Sequence, residues 1–264
     1  MDPRPPRFGE QDKKLSYESY LKVPELLDLQ RLLSDPPAHD ELLFIVIHQV
    51  YELWFKELIF ELESVRALID ADEARRARHL LDRVHTIERV LVEQVAVLET
   101  MSPRDFLEFR NHLAPASGFQ SLQFREIEFI SGLKDEEYVR RLDLDADQER
   151  RLRARLDEPT LWDAFCRYLD RRGLPMPDDD AVARRTSLVQ MANEPEKWAE
   201  EYALSEALLT HDELISLWRQ RHVLMVERQI GSKTGTGGST GASYLRTTLD
   251  KRFYPELWEL RSYL

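Results

Sequence analysis

Leu42-Leu43-Phe44-Ile45-Val46-Ile47-His48-Gln49-Val50-Tyr51-Glu52-Leu53-Trp54-Phe55-Lys56 is the stretch on which the fold turns. Its apolar side chains neither alternate as in a half-buried strand nor keep to one stripe. Through Phe60 they fall on every face of a helix, interrupted by His48, Glu52, Lys56 and Glu57. A helix apolar all round is a central one, and Asp40 stands where an N-cap would start it. The apolar run Leu42–Ile47 stops at His48, far short of the roughly 20 residues that span a bilayer.

Working outward, the segment from Glu73 to Thr100 carries Leu80, Val84, Ile87, Leu91 and Leu98 at the period of an antiparallel bundle partner. Ser102-Pro103-Arg104-Asp105 supplies an N-cap, a proline at the first helical position and an acid that reaches back to the cap. The helix it opens presents Phe106, Phe109, Arg110 and Leu113 inward. Ala114 to Gly118 breaks it, and Phe119 to Ile130 resumes a helical pattern. Asp135 to Arg172 reads as a charged outer excursion without chemistry, and helical character returns between Asn193 and Leu209 after a loop at Pro175 to Asp180. Thr210-His211-Asp212-Glu213 has the form of a second capping box, starting a helix through Trp218, His222 and Val226 that ends at Gly231. On the N-terminal side, Val23 to Leu33 reads as a short amphipathic helix and Tyr17 lies near Tyr20. Residues 1–14, with Pro3, Pro5 and Pro6 amid charges, read as a disordered lead.

Composition agrees with helices. The chain has 264 residues with only 9 glycines, five of them between Gly231 and Gly241, which leaves tight-turn β architecture without turn residues. The expected organisation is a single all-helical domain over residues 15–264, with the charged excursion around 135–180. A net charge of −12 repels phosphate backbones and anionic lipid, so neither nucleic acid nor membrane is an expected partner. A single cysteine, Cys166, and a start without a basic-then-apolar leader point to the cytoplasm.

Seven histidines are the obvious chemistry. His39, His79, His85 and His211 have capping or surface explanations. His48 and His222 sit mid-helix among large apolar side chains, and for each, spacing leaves open both a hydrogen-bonded core imidazole and a metal ligand. No HExxH, paired Cys-x-x-Cys or Glu-x-x-His supports a metal cage built from protein alone, whereas a haem needs one histidine, held noncovalently for want of Cys-x-x-Cys-His. Arg110, one turn after Phe106, is either a surface arginine paired with Asp105 or Glu108, or a carboxylate fork beside an aromatic wall, as a pocket for an aromatic amino acid requires. The stretch from Ser232 to Gly241 lacks an apolar side chain and the Gly-Lys-Ser/Thr of a phosphate loop. Lying close to the chain end, it reads as a lid over a ligand in preference to a linker.

The Leu42–Lys56 stretch, Phe109-Arg110, Pro115-Ala116-Ser117-Gly118-Phe119-Gln120-Ser121-Leu122-Gln123, Trp218-Arg219-Gln220-Arg221-His222 and Gly235-Thr236-Gly237-Gly238-Ser239-Thr240-Gly241 together resemble the tryptophan 2,3-dioxygenase family. The resemblance runs from about Leu15 to the C-terminus. It implies an all-α helical bundle enclosing a noncovalent haem b, which inserts O₂ across the indole C2–C3 bond of L-tryptophan to give N-formyl-L-kynurenine, the first step of tryptophan breakdown. Carried over by motif position, His222 is the proximal iron ligand with Trp218 packed near the haem, and Ser117 and Gly118 lie along the haem edge. His48 is the distal histidine that accepts from the indole N–H. Arg110 takes the substrate carboxylate, Thr236 the ammonium end, and Phe44 and Phe106 wall the indole. Some bacterial relatives have tyrosine where this chain has Phe106, which leaves Arg110 without a neighbouring hydroxyl. The resemblance also implies a homotetramer in which Tyr17 and Tyr20 complete a neighbouring subunit's pocket. Two other readings share the same sequence: a haem enzyme of this fold acting on another aromatic amino acid, and a noncatalytic helical haem-binding protein.

Overall fold

The computed structural model describes residues 15–238 and 240–264; the segment read as a disordered lead lies outside them. Among the described residues every regular element is helical. In chain order these are α1 (Tyr17–Leu21), α2 (Val23–Leu27), α3 (Glu41–Asp70), α4 (Ala74–Leu98), α5 (Pro103–Leu113), α6 (Leu122–Ser131), α7 (Glu136–Arg141), α8 (Ala146–Asp157), α9 (Leu161–Arg171), α10 (Ala181–Asn193), α11 (Ala199–Ile230), α12 (Ala242–Arg246) and α13 (Pro255–Leu260).

Three long helices make the frame, with α4 packed against both α3 and α11. The seam between α3 and α4 is a ladder of Leu58, Leu62, Val65 and Ile69 against Ala77, Leu81, Val84 and Leu91, all fully buried. The α4 register therefore runs through Leu81, while Leu80 is only partly buried. The Tyr51 hydroxyl donates to the Leu91 carbonyl at 2.9 Å across the same seam. The α3 helix is not buried all round: Leu42, Val46, Leu53 and Phe60 form an exposed stripe. Within the charged stretch, α7 and α8 carry a small apolar cluster around Tyr138, Val139 and Leu152, whereas Leu161, Phe165 and Leu169 of α9 enter the main core.

Local capping explains several starts. Ser102 accepts from the Asp105 amide at 3.1 Å, with Pro103 in the first turn, as its motif requires. Asp40 precedes α3 but makes no side-chain cap, its carboxylate lying 2.6 Å from the His39 ring instead. The buried Glu41 next to it takes the Leu33 and Ser34 amides and so ties the preceding segment down. In that segment the helix ends at Leu27, short of Leu33. The α10 helix, absent from the sequence reading, starts where Asp180 accepts from the Val182 and Ala183 amides.

The largest departure is α11. No helix starts at Thr210, because a single 32-residue helix runs through it to Gly231. The Thr210 hydroxyl donates back to the Glu206 carbonyl at 2.8 Å, an intrahelical bond available to threonine anywhere in a helix. His211 and Asp212 are buried, not capping, and bind partners remote in sequence. Asp212 accepts the Phe253 and Tyr254 amides and the Trp258 indole N–H, and this seats the C-terminal segment on α11.

Candidate active site

Residues of α3, α5 and α11 line a common cavity together with Gly235, Thr236 and Gly241 of the loop after α11. His48 on α3 and His222 on α11 line two adjoining cavities, about 950 and 890 Å³ of empty space counting their open mouths. Leu98, Gly118, Phe119, Met225 and Tyr244 also line both. Of the residues expected at the site, Trp218 faces the first cavity, and Phe44, Phe106, Arg110, Ser117 and Thr236 face the second. Tyr17 and Tyr20 line neither and are 76% and 70% exposed on α1.

The two imidazoles differ in how they are held. His48 Nδ1 lies 2.6 Å from the Phe44 carbonyl. A carbonyl only accepts, so Nδ1 carries the proton. Burial keeps the ring's pKa below its usual value, opposed by the Phe44 carbonyl and Glu52, so the ring is neutral and Nε2 is a bare acceptor. His222 has no hydrogen-bond partner among the described residues. Burial pushes its pKa down to about 4, with His48 adding to the effect. Its ring stacks on Trp218 at 5.2 Å and 7°. A half-buried, neutral, unpartnered imidazole facing a cavity has a lone pair to give.

Aromatic rings build the wall of the second cavity. Phe44 stacks with Phe106 at 5.8 Å, Phe109 closes edge-on against both, and Phe44 lies 4.1 Å from the His48 ring. At its mouth the Arg110 guanidinium donates to the Thr234 carbonyl and pairs with neither Asp105 nor Glu108. The Thr236 hydroxyl donates to the Ala116 carbonyl at 2.7 Å. The loop sits so close to the 114–118 turn that a Cβ on Gly237 would come within 2.6 Å of Ser117 Cβ. Gly241 has φ +66° and would clash at 2.5 Å with the Lys233 carbonyl, so the loop's glycines serve close approach. The loop is part of the site's wall, not a tether.

The first cavity holds residues that sequence reasoning missed. Arg125, Glu128 and Arg219 form a buried set in which Glu128 takes Arg125 at 2.6 Å and Arg219 at 2.8 Å. Two guanidiniums against one carboxylate leave a positive end, and the Nε atoms of both arginines, like Trp218 Nε1, are buried without a partner. The Arg125 guanidinium also lies 4.2 Å from the centre of the Tyr138 ring. The legible signal was a charge pair three residues apart, Arg125 and Glu128, on α6 among Phe124, Ile127 and Phe129.

These features fit a noncovalent haem. Among the described residues no group of three or more His, Cys, Asp or Glu side chains is gathered to hold a bare ion. An imidazole with neither nitrogen engaged suits a metal that brings its own ligand ring, the aromatic lining suits the macrocycle, and the positive end with orphaned N–H groups suits its carboxylates. Cys166 belongs to the core away from both cavities, and burial raises its thiol pKa far above the usual range.

Comparison with known proteins agrees with this geometry. The sequence model of the tryptophan 2,3-dioxygenase family matches residues 7–175 and 178–264. A tryptophan 2,3-dioxygenase from a Nocardioides species is 57% identical over 262 residues, covering 97% of each chain. Those from Herpetosiphon aurantiacus and Serratia proteamaculans are 46% and 42% identical, covering 94% and 95% of this chain and 98% and 93% of theirs. Motifs, fold and near-complete coverage thus lead to one assignment: the chain belongs to the tryptophan 2,3-dioxygenase family.

Proposed function

We propose that this protein is a haem-dependent dioxygenase that opens the indole of L-tryptophan. The reaction adds O₂ across C2–C3: that bond breaks, and one oxygen becomes the ketone at former C3 and the other the formyl carbonyl at former C2. No external electrons are consumed, and the product is N-formyl-L-kynurenine. The observation that carries the reading is the neutral, unpartnered His222 facing the same cavities as His48, with Arg110 and Thr236 at the mouth.

In this reading His222 would hold the iron of haem b, Trp218, Ser117 and Gly118 would contact the macrocycle, and Arg125 and Arg219 would take its carboxylates. Bound haem supplies the redox-active iron that activates O₂. The chain's own residues supply position and dryness. Phe44 and Phe106 hold the indole flat, and His48 Nε2 accepts from the indole N–H, which fixes which edge of the ring is presented. An indole N–H is far too weak an acid for a neutral imidazole to deprotonate first, so His48 orients. Arg110 takes the carboxylate with a planar fork, releasing or sharing its bond to Thr234, and Thr236 faces the ammonium. Substrate binding is thereby linked to the loop that covers it.

The same reading extends to assembly. The exposed stripe Leu42, Val46, Leu53 and Phe60, with Leu217 and Leu224 on α11, supports packing against further copies in a homotetramer. The exposed Tyr17 and Tyr20 then belong in a neighbouring subunit's pocket. One domain over residues 15–264, working in the cytoplasm, completes the proposal; no described helix is long and apolar enough to cross a membrane.

The decisive experiment reduces the haem-loaded protein without air, adds L-tryptophan and then O₂, and follows formylkynurenine absorbance. Product formed in step with O₂ uptake supports the assignment. A Soret band with no product leaves a haem-binding protein, and product from another aromatic amino acid in preference to tryptophan moves the substrate.

A further inference from the structure

A second polar constellation lies deep in the core, outside both cavities. Glu88 of α4, His211 of α11 and Ser131 at the end of α6 are 1%, 0% and 0% exposed. His211 Nδ1 lies 2.5 Å from Glu88 Oε1, and Nε2 lies 2.8 Å from Ser131 Oγ. The Ser131 hydroxyl lies 2.7 Å from the Ile127 carbonyl, to which it donates. Phe253 covers the imidazole at 5.2 Å. Glu, His and Ser in this order have the form of an acyl-transfer triad, but they line neither of the two cavities and the hydroxyl points its proton away from the ring. The set performs no chemistry of its own.

Its place on α11 gives it another role. His211 and His222 are eleven residues apart, three turns at about 3.6 residues each, so they lie on one face of the helix. Around His211 that face carries the apolar ladder Leu204, Leu208 and Ile215, which packs almost as well after a small slip or rotation; α11 is also held by polar contacts on either side, His85 to the Ala207 carbonyl and Arg219 to Glu128. A buried carboxylate and imidazole do not, because leaving either unpaired is strongly unfavourable. Their mutual contacts, Glu88 Oε1 to His211 Nδ1 and His211 Nε2 to Ser131, are made in a single register, in which Glu88 Oε2 stays buried without a partner.

We propose that Glu88, His211 and Ser131 fix the register and rotation of α11 against α4 and α6, and thereby position His222 in its cavity. They are positioning residues, and the inference rests on reading His222 as the iron ligand.

The test pairs stability with haem retention. The double variant Glu88→Leu/His211→Leu replaces the pair by apolar side chains, an exchange often neutral or stabilising for a buried ion pair. Its thermal midpoint should match or exceed the wild type's. Its loss of haem to a scavenging apoprotein should nevertheless be faster by about tenfold or more, the scale on which partners behind a metal ligand act, and its ferric absorption spectrum should show a second component. Glu88→Gln, which keeps an acceptor for Nδ1–H, should retain haem and spectrum as the wild type does. Ser131→Ala should shift retention in the same direction by less, and it decides the matter if the double variant does not fold. Unchanged retention and spectrum in the folded double variant, or in Ser131→Ala when that variant decides, overturn the proposal. His222→Ala measured alongside separates the two levels: full haem occupancy there removes the ligand assignment itself, whatever the register variants do.

Discussion

His211 and His222 stand three turns apart on the same face of one helix, both beside aromatic rings, yet they are opposite in kind. His211 has a carboxylate on one nitrogen and a hydroxyl on the other, with no cavity beside it. His222 has neither partner and faces two cavities. A buried imidazole whose nitrogens are both engaged is spent on the fold, whereas one left free has its lone pair available to a ligand. His211 is fully buried and His222 only partly so, open to the cavities; the state of the hydrogen bonds separates the structural imidazole from the free one.

The sharpest way to break that comparison is to remove the free imidazole. His222→Ala should abolish stable haem binding, read as loss of the Soret band after purification with haem supplied, because a noncovalent haem loses its protein bond to iron. An unchanged spectrum would place the ligand elsewhere. Next comes Arg110, the charged group at the mouth. Arg110→Ala should weaken tryptophan binding by about 2 to 5 kcal/mol, the cost of truncating one partner of a buried charge pair. Lysine should rescue poorly, since a point charge does not reproduce the planar fork and Phe106 offers no hydroxyl. Tryptamine, lacking the carboxylate, should be far less affected by the same change; equal losses for both ligands would make Arg110 a support for the loop through Thr234 alone.

On the satisfied side of the comparison, His85 is buried on α4 and holds the Ala207 carbonyl at 2.9 Å. Burial, with His211 nearby, pushes its pKa from 6.5 down to about 4. As pH falls through 6.5 the unfolded chain takes up a proton that the fold refuses. Stability therefore declines between about pH 6.5 and 4 by up to about 3 kcal/mol for this group, and the loss is complete below that window. His85→Gln, which keeps an N–H for Ala207 and does not titrate, should lose less stability between pH 7 and pH 4.5 in urea unfolding. A slope identical to the wild type's would remove His85 from the acid response. The smallest effect is expected at His48, whose hydrogen bond to the indole orients the ring. His48→Ala should keep haem and lose about 1 to 1.5 kcal/mol in rate or binding, with poorer discrimination against N-methyl tryptophan. Complete inactivity with intact haem and normal tryptophan binding would instead indicate a required base.

Parts of this were legible in the sequence for a definite reason. The α3 and α4 helices, the start of α5 at Ser102 and the end of α11 at Gly231 rest on periodicity and capping, interactions among residues at most four apart. Arg110 beside Phe106 was legible in the same way, as one turn of one helix. The roles of His48, His222 and Thr236 came from the resemblance of their motifs to a family, and the structure brings the three to one cavity. His85 and His211 were misread as surface or capping residues because their partners lie 122 and 123 positions away, at Ala207 and Glu88. The same misreading cut α11 in two at Thr210.

By itself the sequence determined the helical class, the negative charge balance, the glycine loop and the residue types that bear chemistry, since composition and short-range pattern suffice for each. Only the tertiary structure decided which imidazole is satisfied and which is free, where Arg125 and Arg219 place their positive charge, and that the loop closes on Ala116 and Ser117. Each of these depends on which groups meet across separate helices. A side chain's local pattern fixes the direction in which it leaves its helix, and says nothing of what waits there.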